Sequence, residues 1–91
     1  MAGIFDNQVT LITGASSGIG RATALHFGAN GANVMVADSN VEGGEETVTA
    51  IKEAGGEASF VHVDVTHSSE VEAMVARTVE TYGRLDCAFN N

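Results

Sequence analysis

Proline and tryptophan are absent from this 91-residue chain, cysteine occurs once, and lysine and arginine together number 4. Each scarcity excludes something. Without proline, nothing forces a break in a helix or a gap in a strand ladder, so uninterrupted elements are open to the chain. A single cysteine, Cys87, closes no internal disulfide; this fits a reducing compartment and predicts a cytoplasmic address. The basic residues Arg21, Lys52, Arg77 and Arg84 are dispersed against 12 acidic ones, for a net charge of −8. A binder of phosphate backbones needs a clustered basic face, so no nucleic-acid partner is expected. Apolar stretches run only a few residues, too short to span a membrane. The stretch Met1–Asp6 carries neither a basic segment nor a long apolar core, so no signal peptide is read there.

What is present is a globular composition, 44% hydrophobic, on a length suited to one small domain. Strand and helix signals alternate without linker or repeat. Strands are expected near 8–13, 33–38 and 58–63, and a fourth from Leu85 to Asn90. Helices are expected near 18–30, 41–54 and 68–82. Asn30-Gly31 suits a left-handed cap, Ser39 or Asn40 caps the second helix, and Gly55-Gly56 and Gly83 are stops. In the third helix Val71, Met74, Val75, Val79 and Tyr82 predict one apolar face. Strands joined through helices of this length make right-handed crossovers and a parallel sheet. The expected fold is therefore α/β, a doubly wound, Rossmann-like parallel sheet of strand order 3-2-1-4.

The strongest chemical signal is Thr13-Gly14-Ala15-Ser16-Ser17-Gly18-Ile19-Gly20, between the first strand and the first helix. A glycine-rich turn opening into a helix gathers backbone N–H groups at the positive end of the helix dipole, where phosphate or pyrophosphate fits. Gly14, Gly18 and Gly20 are placed where a side chain would block the turn, the approaching anion or helix packing. The second strand ends in Asp38, about 20 residues beyond the glycines, where an acid accepts from ribose hydroxyls. A dinucleotide site is the expectation. A nucleoside triphosphatase is not, because no Gly-Lys-Ser/Thr follows the glycines.

The spacing Gly14-x-x-x-Gly18-x-Gly20 resembles that of the short-chain dehydrogenase/reductase family. Asp64-Val65-Thr66 after strand three, Gly83-Arg84-Leu85-Asp86 before strand four, and Asn90-Asn91 are similar to further family motifs in the same order. The resemblance implies NAD, with NADP disfavoured by Asp38, and a small-molecule alcohol or ketone as substrate of a homo-oligomeric enzyme. It implies that Gly14, Ala15, Ser16, Ser17 and Ile19 line the pyrophosphate and nicotinamide side, and that Asp38 holds the adenosine ribose. Asp64 would meet the adenine amino group, Val65 the adenine ring, and Asn91 a ribose through its backbone, while Asn90 braces the sheet. The family's catalytic Tyr-x-x-x-Lys is not matched: four residues beyond Tyr82, the sole tyrosine, stands Asp86. No catalytic residue is therefore expected in this chain, which reads as residues 1–91 of one dinucleotide-binding domain cut after strand four.

Two other readings compete. A methyl-donor-binding domain also uses a glycine turn and an acid after strand two, but does not account for Asp64-Val65-Thr66 or Asn90-Asn91. A non-catalytic dinucleotide-binding module is the second. His26, His62 and His67 share no ligand spacing with Cys87, so no metal is expected, and Cys87 reads as a small buried hydrophobe.

Overall fold

The computed structural model describes residues 3–90. The elements are β1 (Val9–Thr13), α1 (Gly18–Ala29), β2 (Asn33–Asp38), α2 (Val41–Glu53), β3 (Glu57–His62), α3 (Ser68–Tyr82) and β4 (Cys87–Phe89). The four strands are parallel, in the order β3-β2-β1-β4. Val9 lies opposite Asn33, Asn33 opposite Glu57, and Thr10 opposite Cys87. This register brings the carboxyl ends of β1, β2 and β3 to one edge of the sheet, and the winding direction reverses between β1 and β4.

Alternation along the strands builds a core on each face. Ile12, Val34, Val36 and Ala58 pack with Ala24 of α1 and with Val48 and Ile51 of α2. Leu11, Met35 and Ala37 pack with Met74 of α3 and with Val63. Helices therefore cover both faces. Local signals end these elements where expected. Asn40, not Ser39, caps α2, its Oδ1 accepting the Gly43 N–H at 3.0 Å. Gly83 closes α3 in the left-handed region at φ 83°.

Three expectations are corrected. On α3 Met74 and Thr78 are buried and Val71 and Tyr82 partly buried, whereas Val75 and Val79 remain 38% and 43% exposed. Thr78 enters the core without an orphaned hydroxyl because it donates to the Met74 carbonyl at 2.9 Å. Val75 sits on the flank toward β4, where it lines a groove with Ala88 and Phe89. The fourth strand starts at Cys87 rather than Leu85. Before it, Asp86 pairs with Val9 twice: its N–H donates to the Val9 carbonyl at 3.0 Å and its carboxylate accepts the Val9 N–H at 2.8 Å. Cys87 is only half-buried, because among the described residues β4 is an edge strand with no strand on its far side.

Candidate functional site

The glycine turn owes its shape to backbone angles that side chains disfavour. Gly14 and Gly18 have φ of 64° and 57°, in the left-handed region. A Cβ on Gly20 would lie 2.1 Å from the Gly14 carbonyl oxygen, so α1 sits directly on the turn. Ser17 is the N-cap residue in extended geometry, and its side chain makes no capping bond. The first bond into the helix is from Arg21 N–H to the Ser17 carbonyl at 3.2 Å. The N–H groups of Gly18, Ile19 and Gly20 therefore precede the helical ladder, at the positive end of its dipole. Ile19 beside them is 79% exposed. Ala15 is fully buried, its methyl in the core under α1 and α2.

Asp38 stands at the end of β2 against this turn. One carboxylate oxygen accepts the Ser16 N–H at 3.2 Å and the other the Asn40 N–H at 2.9 Å. Burial pushes its pKa upward, but hydrogen bonds from Asn40, Ser16 and Ser39 outweigh it and hold the carboxyl below 3.8. The group is an anion at neutral pH. At the end of β3, one Asp64 oxygen accepts from both the hydroxyl and the N–H of Thr66, at 2.6 and 3.0 Å. Those bonds, with His67 Nδ1 at 3.2 Å from the other oxygen, hold Asp64 below 3.8 as well. Its own N–H donates to Glu70 at 2.9 Å, which ties the loop to the first turn of α3.

One cleft of about 290 Å³ gathers Gly14, Asp38, Ser39, Val63, Asp64, Val65 and Thr66. Residues from three strand ends thus meet there, with Val65 offering a half-exposed apolar surface. Ser16 and Ser17 open instead onto a neighbouring recess with Arg21, Asn40 and Glu46. Asn90 accepts the Thr13 hydroxyl at 2.9 Å, which braces β4 against β1. Asn91 lies outside the described residues.

Sequence reading assigns no site role to Ser39, Thr66, Arg21 or Thr47, although Thr66 stands in the Asp64-Val65-Thr66 motif and Ser39 is a candidate cap. The first two neighbour the acids at strand ends and are findable by that position alone. Thr47 carries no local signal; α2 brings it beneath the turn, where its hydroxyl lies 2.8 Å from the Ala15 carbonyl oxygen. Tyr82 is far from this edge. Its phenol bonds Ser59 at 3.0 Å near the amino ends of β2 and β3, and burial pushes its pKa above 10.0. His26 packs against the Phe5 and Phe27 rings. Among the described residues no group of three or more His, Cys, Asp or Glu is placed to hold a metal. Among them, too, no helix is long and apolar enough to cross a membrane.

The family model described as short chain dehydrogenase matches residues 8–91. An uncharacterized oxidoreductase of Thermotoga maritima is 49% identical over 87 residues, covering 96% of this chain and 34% of that protein. A 3beta-hydroxysteroid dehydrogenase of Mediterraneibacter gnavus is 45% identical over 89 residues, covering 98% of this chain and 32% of that protein. The crystal structure of a hydroxysteroid dehydrogenase from Escherichia coli superposes with a TM-score of 0.94 at 33% identity, over 96% of this chain and 37% of that one. The chain thus spans about a third of the length of the relatives it matches.

Proposed function

This chain belongs to the short-chain dehydrogenase family, and from that premise we propose that it forms the NAD-binding part of an oxidoreductase acting on a small-molecule alcohol or ketone. The observation that carries the reading is the single cleft joining the glycine turn to Asp38 and to Asp64-Val65. The cleft and the donors beside it fit a dinucleotide. Unladdered N–H groups at the start of α1 suit a pyrophosphate, and the missing Cβ of Gly20 keeps the turn tight enough to present them.

Within this reading Asp38, held ionised, accepts from the adenosine ribose hydroxyls and repels a 2′-phosphate; hence NAD over NADP. Asp64 accepts from the adenine amino group while Val65 lies along the ring. Ser16, Ser17 and Ile19 line the phosphates and the nicotinamide side, and Gly18 and Ala15 shape the turn between. Bound there, a nicotinamide would supply the hydride acceptor or donor. The residues described here bind and orient it, and none is assigned to proton transfer. Two of the relatives are named hydroxysteroid dehydrogenases, which supports a secondary alcohol or its ketone as the substrate class.

Calorimetric titration with NAD and NADP tests the proposal. Saturable NAD binding that exceeds NADP binding is the expected result, and no saturable binding of either overturns the reading.

A further inference from the structure

The peptide unit between Ala15 and Ser16 is held at both ends by groups distant in sequence. Its carbonyl oxygen accepts from the Thr47 hydroxyl at 2.8 Å, and its N–H donates to Asp38 at 3.2 Å. Thr47 is fully buried, so water does not compete for the hydroxyl. Two carbonyls are within its reach, Ala15 at 2.8 Å and Gly43 at 3.2 Å. Arg21 holds both the hydroxyl and the second carbonyl. Its Nε donates to the Thr47 oxygen at 3.0 Å, and its Nη2 donates to the Gly43 carbonyl at 3.2 Å and to Glu46 at 3.3 Å. Ala15 is the nearer of the two acceptors, and on that distance it takes the Thr47 proton.

The clamp is placed where local sterics set little. Gly14, next to Ala15, has no side chain to limit its backbone. The same peptide supplies one of the donors that fix the Asp38 carboxylate, alongside Asn40 and Ser39.

We propose that Thr47 is a positioning residue: oriented by Arg21, it fixes the Ala15–Ser16 peptide and through it aims Asp38 at the ribose, so that it sets cofactor discrimination without touching the cofactor. The inference rests on the dinucleotide reading above. Removing the hydroxyl frees the peptide to rotate and withdraws a donor from Asp38, so affinity and selectivity fall together. A merely structural hydroxyl would lower stability and leave the NAD-to-NADP ratio where it was.

The test compares Thr47→Val and Thr47→Ser with the unmutated protein in the full chain. It reads NAD and NADP affinities by calorimetry and hydrogen exchange of the Ser16 amide by NMR. Thr47→Val is expected to lose roughly three- to tenfold in NAD affinity, the range of one buried hydrogen bond. Its NAD-to-NADP ratio narrows and the Ser16 amide exchanges faster, while Thr47→Ser restores all three. Should Thr47→Val not fold, Arg21→Lys removes the orienting Nε and is expected to shift the ratio and the Ser16 exchange in the same direction. An unchanged ratio and unchanged Ser16 protection in either folded variant overturns the inference, whatever happens to the melting temperature. An unmutated protein that binds neither cofactor overturns the dinucleotide reading, and the inference with it.

Discussion

Replacing Gly20 by alanine should damage the turn by contact, while replacing Gly18 should damage it by conformation, and the two are separable. The Cβ added at Gly20 would lie 2.1 Å from the Gly14 carbonyl oxygen, 2.7 Å from its carbon and 3.1 Å from the Ala15 Cα. All three are backbone atoms, so no side-chain rotation relieves the overlap. Either α1 backs away from β1 or the turn opens. Overpacking of this kind costs about 1–3 kcal/mol, and contact with backbone puts it toward the upper end. Alanine is the better helix former by about 1 kcal/mol, which offsets part of the loss, so a net destabilisation of about 1–2 kcal/mol is expected. Gly18 meets nothing within 4 Å but holds φ +57°. Alanine there costs roughly 1–2 kcal/mol through the left-handed conformation alone, and asparagine, which tolerates that region, should recover part of it. Gly18→Val, branched at Cβ, should abolish NAD binding while circular dichroism stays helical. Urea denaturation with NAD titration on each variant separates the cases. Gly20→Ala with unchanged stability and affinity would refute the steric account, and Gly18→Asn no better than Gly18→Ala would refute the conformational one.

Asp38→Ala should narrow the NAD preference by about tenfold or more, since the 2′-phosphate no longer meets a fixed anion; equal affinities in the unmutated protein would contradict this. Asp86 is held below 3.8 by the Val9 N–H and by Arg84, and Asp38 and Asp64 are also lowered. Their folded pKa values lie below the unfolded ones. The stability they contribute is therefore present above about pH 4 and lost as pH falls through the folded values. Melting temperature should drop from about pH 4 downward, and less steeply in Asp86→Asn; a flat profile to about pH 3 counts against it. Tyr82→Phe, which removes the bond to Ser59, should cost about 1 kcal/mol and leave NAD affinity unchanged. The 91-residue chain exposes Val65, Val75, Val79 and Phe89, with Val65, Val75 and Phe89 lining one groove beside the β4 edge, so concentration-dependent light scattering is expected. Val75→Lys together with Phe89→Lys should reduce that scattering.

Sequence alone determined the elements, their order and the glycine turn between β1 and α1, because those signals act within a few residues. Asn40 is fitted to cap α2 by its own side chain, Gly83 to end α3 by lacking one, and the spacing of Gly14, Gly18 and Gly20 to hold a strand–helix turn. The largely apolar runs Val9–Thr13 and Asn33–Asp38 suit strands buried on both faces of a parallel sheet. Tertiary structure decided what depends on partners far along the chain. The α3 valines look interchangeable in a periodic pattern, yet which flank is buried follows from where the sheet lies, and Thr78 displaces Val79 because its own helix satisfies its hydroxyl. Cys87 looks like core until β4 proves to be an edge. Asp86 gains its meaning from Val9, 77 residues away. The Arg21–Thr47–Ala15 connection joins residues on α1, α2 and the turn whose spacing has no period at all. A hydrogen bond needs only a few ångströms of space, and the chain brings those atoms together through the packing of whole elements, which no local pattern encodes.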